Sequence, residues 1–483
     1  MIFLKKLFLR AAVYKKCTGQ ITVWMTLCFA VFLGLYLACL QSVWKQYQRK
    51  QAEQAVEAGM FSLFSEFEPH LFQKYDLFCL DTSFGGKTER TEEIASHLWQ
   101  FTQNNITDAS GEFLYGLHLE GVYVKGMIRL TDASGAAFFR QAVEIMKEKT
   151  GFSIAEDWML QDLLQKDTEE NARRFQADCE SYEGRVRDYK DEEGEDDEER
   201  KINPEARRWD GVWKGYVLSK AVPGDYPISE KAVDLAFVPS QRELSVGMGK
   251  AAGTENQILQ KQWFISYLCD YLKQAQEMLP KQRAEGGLDY QLEYVIAGKA
   301  TDRENLDAVV KRILLIREGM NYVFLLTHPE LKQKAETLAL VLAGMTGNEG
   351  IIKSLEQLIL LGWAYGESLT EVRQLLNGKE LTVIKDTADW QVPLSGLLSL
   401  LGNPGRYDGQ NRKQEGYNYE ACLRLFLMME SAETLSMRAL DIIEGELCSL
   451  NGDRYLHLDH CVDGLTAQVW MGDIYLERNY GYE

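Results

Sequence analysis

From Ile21 to Leu40 the chain carries no charged residue, matching the ~20 residues that a helix needs to cross a hydrocarbon core. Polar positions then return, but Ala52, Ala55, Val56, Gly59, Met60, Leu63, Phe64 and Phe67 recur at steps of three and four. That is the period of a helix with one apolar stripe. No Gly-Pro or Asn-Gly breaker intervenes, and Glu68-Pro69 is the first place where such a helix must stop or kink. The pattern predicts one helix from about Gln20 to Phe67, roughly 70 Å long, with its stripe packed on the C-terminal part of the chain.

Further on, Phe113, Tyr115, Leu117 and Leu119 alternate with polar positions and Gly121 breaks into "VYVKGMIRL", predicting a β-hairpin. Ala136 to Lys149 and Gln257 to Met278 read as helices, and "DYQLEYVIAG", alternating at Tyr290, Leu292, Tyr294 and Ile296, reads as a strand. Thr301 with Glu304 forms a T-x-x-E capping box ahead of Leu306, Val309, Val310 and Ile313, and Thr327 to Glu330 repeats that spacing. Helices are expected over 351–365, 367–376 and 417–449, with strands over 454–480 turning at Gly472-Asp473. "LILLGW" is confined by Lys353, Glu356 and Glu367 to a run too short to cross a bilayer, so it reads as a buried helix.

The fold class expected is α+β. A basic cytoplasmic segment (1–20) precedes a transmembrane helix (21–40) and an amphipathic stalk (41–80). A variable α+β region (81–285) leads to a C-terminal α+β domain (286–483), with its helical block at 302–450 and terminal strands at 454–480. Residues 178–199 hold twelve acidic against three basic side chains, a self-repelling block expected to be a solvated loop.

Charge fixes the expected topology. Lys5, Lys6, Arg10, Lys15 and Lys16 stand before the span without an acid, whereas Lys45, Arg49 and Lys50 are answered by Glu53 and Glu57. The positive-inside bias puts the N-terminus in the cytoplasm and the bulk of the chain outside the cell membrane. Trp24 and Trp44 stand where interfacial anchors would. "YLACLQ" offers no A-x-A site, so an uncleaved anchor is expected rather than a secretory peptide. The net charge of −19 argues against nucleic acid, and nine scattered cysteines without a CxxC exclude a zinc ribbon.

Candidate chemistry is sparse. "GMGKAAGT" (Gly247 to Thr254) has glycines and one lysine but not the phosphate-cradling spacing, so it reads as a loop. In "HLDHC", His457 and Asp459 would share one face of a strand while His460 points the other way and Cys461 follows. Two converging ligands fall short of the three or four that a metal needs. Asp81-Thr82-Ser83 opens like the D-x-S-x-S site of von Willebrand type A domains, but Gly85 stands at the third hydroxyl position, which favours a turn. No catalytic, cofactor-binding or metal residue is assigned, and no cofactor is expected.

"GQITV", "AEQAVEAGMFSLFSEF" and "KYDLFCLD" resemble an uncharacterised family of membrane proteins from Gram-positive anaerobic bacteria, itself similar to the TadE/TadG-type minor pilins of tight-adherence (Flp) pilus systems. The resemblance extends to "LEYVIAGKATDRENLDAVVKRILLIREGMNYVFLL", "GWAYGESLTEVRQLLNGKELTVIKDTADWQ" and "LDHCVDGL". It implies a non-enzymatic, extracytoplasmic component of a pilus or secretion-like assembly, held in the bilayer by 21–40 and meeting other subunits through its stalk. A prepilin cut after Gly19 would carry glutamate where Trp24 stands, which implies a retained membrane component instead. The alternatives are an extracytoplasmic wall-processing hydrolase and a ligand-binding surface domain.

Overall fold

A computed structural model describes residues 2–86, 88–108, 110–150, 218–224, 226–249, 257–280, 286–343, 348–382, 385–408, 416–450 and 456–482, with Phe175, Ala177, Asp178 and Ser181. Of residues 2–20 it describes the backbone. Most of the acidic block and residues 250–254 of the glycine-rich stretch lie outside the described residues. In chain order come α1 (Ile2–Phe64), α2 (Pro69–Tyr75), β1 (Leu80–Asp81), α3 (Thr91–Ile106), β2 (Leu119–Arg129), α4 (Asp132–Thr150), α5 (Leu218–Ala221), α6 (Gln257–Tyr271) and α7 (Ala275–Met278). They are followed by α8 (Gln291–Ala297), α9 (Asp302–Thr327), α10 (Pro329–Ala343), α11 (Glu349–Leu376), α12 (Leu397–Gly402), α13 (Tyr419–Met429), α14 (Ala432–Leu450), β3 (Cys461–Met471) and β4 (Ile474–Gly481). The fold is mostly helical α+β, with a long N-terminal apolar helix and a small C-terminal antiparallel sheet.

The described chain divides into two compact units, the first from α1 to Phe67 with Glu89–Met127 and Gly464–Tyr482, the second from Glu68–Thr88 and Ile128–Asp463. In the first unit the predicted helix forms as α1, which begins at Ile2, eighteen residues before the expected start, and ends at Phe64, three before the expected limit. Pro69, which cannot continue a helix, starts the next one, with Glu68 as its N-cap. Ala52, Ala55, Val56, Met60, Leu63 and Phe64 are all buried. They face the apolar side of α3, where Ile94, Leu98 and Ile106 are buried. A Cβ at Gly59 would lie 2.6 Å from Thr102 Oγ1, so glycine permits the close approach of α1 and α3. The Phe64 ring centroid is 5.0 Å from those of Tyr480 and Tyr482, and Arg478 pairs with Glu53 at 3.0 Å.

β3 and β4 form the terminal hairpin, in register from Gly464↔Gly481 to Met471↔Ile474, and turn where Gly472 adopts φ +55°. The second expected hairpin does not form. Leu114–Gly116 is a 3-10 turn, and Leu119–Arg129 is one uninterrupted strand on the other edge of β3. Gly121 does not break that strand; the Tyr123 ring lies over it, where a Cβ would come within 2.9 Å.

The second unit corrects five readings. "DYQLEYVIAG" is helix α8, not a strand, and Gln291 to Ile296 are buried on every side, so alternation there marks no solvent face. The 257–278 helix breaks after Tyr271, because the Lys273 backbone is bonded to Gln291 instead. The 351–365 and 367–376 stretches are one helix, α11: Gly366 is not a breaker but the seat of Leu397, whose Cδ1 a Cβ would meet at 2.1 Å. Conversely 417–449 splits at Glu430-Ser431, where the Ser431 hydroxyl accepts from the Thr434 N–H. Thr301 caps α9 as expected, accepting from Glu304 N at 3.2 Å. Thr327 caps nothing; its hydroxyl bonds back to the Val323 and Phe324 carbonyls inside α9. "LILLGW" is buried within α11.

Candidate functional site

Among the described residues, one helix is long and apolar enough to cross a membrane, beginning at Ile21, and its apolar window is wholly unburied. Ile21, Val23, Leu27, Phe29, Leu33 and Leu35 are all exposed, so this stretch is apolar around its whole circumference. By composition it is a candidate membrane span or a signal sequence.

In the second unit the "HLDHC" region is not a strand. Leu458–His460 forms a 3-10 turn, and β3 starts only at Cys461. The turn brings His457 and Asp459 together with Glu444 of α14, and one ligand atom from each lies within 4.8 Å of the others. His460 is not among them. Glu444 escapes a sequence reading because fifteen residues, including a helix end, separate it from Asp459. The three groups have a metal's donor chemistry, but a cation already holds the two carboxylates: Arg242. Its guanidinium bonds Glu444 through both terminal nitrogens and Asp459 at 2.6 Å. The remaining carboxylate valences accept from Leu458 N at 2.8 Å and Ser245 N at 3.1 Å. Glu444 lies 3.6 Å from His457 Nδ1 and raises that imidazole's pKa. The cluster is a closed clasp built around an internal cation.

The other two sequence candidates are likewise consumed locally. Asp81 Oδ1 accepts from the Ser83 N–H and hydroxyl, and Oδ2 from Gly85 N, while Phe84 and Gly85 take left-handed φ values of 49° and 76°. This is an Asx turn. Gly247 N and Gly249 N donate to the Asp132 carboxylate at 2.7 and 3.3 Å, so that loop binds a side chain of its own chain.

The densest polar site has no counterpart among the sequence candidates. On α9 and α11, Arg317 meets Glu371 in a two-pronged pair at 2.8 and 2.7 Å, both side chains buried. Lys385 bonds Glu371 at 2.7 Å and Glu367 at 2.5 Å. Asn321 donates to Glu371 and Ser368, the Arg317 guanidinium reaches the Tyr417 hydroxyl, and Glu367 accepts from Gln391 N and Val392 N. Two cations thus balance two carboxylates. Burial works to raise the Glu371 carboxyl, but Arg317 and Lys385 outweigh it and hold it down at about 2. Burial pushes Glu367 up, against the pull of Lys385.

Two nearby glutamates lack such compensation. Burial alone lifts Glu318 to about 8, and among the described residues no ion pair or hydrogen bond reaches its carboxyl. Burial also raises Glu293 to about 7, against the Ala275 N–H and the Tyr419 hydroxyl that its Oε1 accepts. Glu318 in turn adds to burial in raising Tyr365, whose buried hydroxyl has no partner among the described residues.

A family model matches residues 193–473, more than half the chain. The chain belongs to the DUF5702 family. It is a family of unknown function. The DUF5702 match covers both Arg242 and Arg317 with all their partners, and leaves α1, α3 and β2 before it. No curated protein matches the chain, and no solved structure does.

Proposed function

We propose that this DUF5702 chain is a non-enzymatic, membrane-anchored component of a pilus or secretion-like envelope assembly, comparable in layout to TadE/TadG-type pilins. The reading holds that 21–40 is an uncleaved span, with the N-terminus cytoplasmic and the chain beyond the span outside. The observation that carries it is the continuity of α1: one helix runs without a break from an apolar, unburied stretch into a stripe packed on α3 and β4. Such a rod transmits orientation from bilayer to folded unit. The likeness to pilins rests on the residues quoted above, and the lysine asymmetry about the span supports the orientation. Because the stripe is occupied within the chain, other subunits would meet the opposite side of α1, where Phe61 is exposed.

The test is crosslinking in the native membrane followed by pull-down. Recovery of pilus or secretion subunits supports the reading. Recovery of the chain alone, with hydrolysis of wall fragments by the purified protein, replaces it with the hydrolase alternative. Orientation is read separately: an epitope inserted at 190–199 should be reached from outside the cell, and one near Lys5 should not.

A further inference from the structure

Just past the apolar span, the first unit gathers aromatic rings that no core absorbs. Trp44 and Tyr47 lie on α1, 5.9 Å apart, and the Tyr115 ring stands edge-on to Tyr47 at 5.5 Å. Tyr115 belongs to the 3-10 turn Leu114–Gly116, whose base closes through the Thr107↔Phe113 bridge. Gln48 fixes that turn to α1, its Nε2 donating to the Tyr115 carbonyl at 2.8 Å. Tyr115 itself is held at φ +59°, a conformation that a bulky residue adopts only when its surroundings impose it. A brace serving only to pack the loop would bury its rings. Here Trp44 is 52% exposed, Tyr47 42% and Phe113 40%.

The position of these rings along the helix names their occupant. Trp44 lies four residues and Tyr47 seven beyond Leu40, which is roughly 6 and 10 Å along the axis. The headgroup layer outside the hydrocarbon core is about 5–8 Å deep on each side. Helical side chains lean toward the N-terminus, here back toward the span, which brings the Tyr47 ring within that layer. Tyrosine and tryptophan favour this zone because an apolar ring and a polar edge are both satisfied there. Lys45 adds exposed positive charge at that level of a strongly acidic chain, and Asp108 and Glu112 are exposed acids of the loop that the bridge closes. We infer that the 113–116 turn is a second membrane contact, its rings seated with Trp44 and Tyr47 in the headgroup layer of the bilayer that 21–40 crosses. The partner is a lipid surface carrying phosphate headgroups. The contact would fix the rotation of α1 about its axis, which a lone span leaves free.

This inference rests on the reading of 21–40 as an uncleaved span, and the experiment separates the two. The full chain is reconstituted in phosphatidylethanolamine–phosphatidylglycerol vesicles with a benzophenone amino acid placed singly at Leu33, Phe113 or Phe61. Phe61 is 64% exposed on the same helix but roughly 30 Å beyond Leu40. Lipid adducts at 33 and 113 and none at 61 are expected. Adducts at 33 alone overturn the second contact and leave the anchor. Equal adducts at 113 and 61 overturn it as well, since the chain would then lie along the bilayer. Absence of adducts at 33 removes both readings. Phe113 is partly solvated, so its replacement spares the fold, and an unchanged melting temperature of the labelled chain verifies this.

Discussion

Both units have apolar packing, but among the described residues the deepest charge network lies in the second. In the first, α1 meets α3 and β4 through a seam of alanine, valine, methionine and aromatic side chains, with one glycine letting the helices close. In the second, the α9–α11 interface encloses Arg317, Lys385, Glu367 and Glu371, and α14 is tied to the turn before β3 through Arg242. An apolar seam responds to shape and is indifferent to pH. A buried charge network is indifferent to small shape changes but fails when one partner goes, because the remaining charges are left unpaired in low dielectric. The seam between α1 and α3 is therefore the place to test volume, and the α9–α11 network the place to test pH.

The sharpest break of that contrast is Glu371→Ala, which strands Arg317 and leaves Lys385 with one carboxylate. We expect a loss of roughly 3–5 kcal/mol in denaturant unfolding of the second unit. A loss comparable to a surface substitution would mean that water or a bound anion compensates the network. Next comes Phe64→Ala in the first unit, expected to cost about 3 kcal/mol through the vacated space between Tyr480 and Tyr482. The loss should be equal at pH 5 and pH 8, because the contact removed is ring against ring; a pH-dependent loss would show that charge contributes to the seam.

The pH arm belongs to Glu318. Its folded pKa of about 8 lies above the ordinary 4.5, so the folded state holds its proton more tightly than the unfolded state. The penalty is absent below pH 4.5, grows as pH rises and is complete above about pH 8. A tenfold difference in proton affinity between the two states is worth about 1.4 kcal/mol. With some relaxation around the group, we expect Glu318→Gln to stabilise by roughly 2–3 kcal/mol at pH 8.5. At pH 4 the variant should match the parent. Glu371 runs the other way: held at about 2, its contribution is full above pH 4.5 and is lost as pH falls toward 2. Melting curves of the full chain in detergent, taken across pH 3–9, read both slopes.

How much of this was legible follows the range of the interactions. The long N-terminal helix was readable because an uncharged run and a three-four repeat are local patterns, and α1 ends within three residues of its expected limit. Glu367 entered the sequence reading only as a charge that ends the "LILLGW" run, and Glu371 not at all. Their partner Arg317 stands 54 residues before Glu371 in an unrelated helix, and no local pattern announces it. Arg242 and Glu444, 202 residues apart, are further from detection still. Two of the misread elements share one cause. Alternation at 290–296 and glycine at 366 carry their usual meaning only where one side faces water, and here all sides are buried.

The finest test of the apolar seam is at Gly59. Alanine there gains about 1 kcal/mol of helix propensity, but its Cβ would meet Thr102 Oγ1 at 2.6 Å and the Thr102 backbone nitrogen at 3.2 Å. Crowding of this kind costs typically about 1–3 kcal/mol, so Gly59→Ala should destabilise by about 1 kcal/mol net. Thr102→Ala removes the nearest atom, and with it a buried hydroxyl that has no partner among the described residues. The double variant Gly59→Ala/Thr102→Ala should therefore be at least as stable as the parent, because propensity is gained, the worst contact is gone and an unsatisfied hydroxyl is removed. Two losses that simply add would show that the α1–α3 spacing is fixed by backbone contact alone, and that the threonine side chain has no part in setting it.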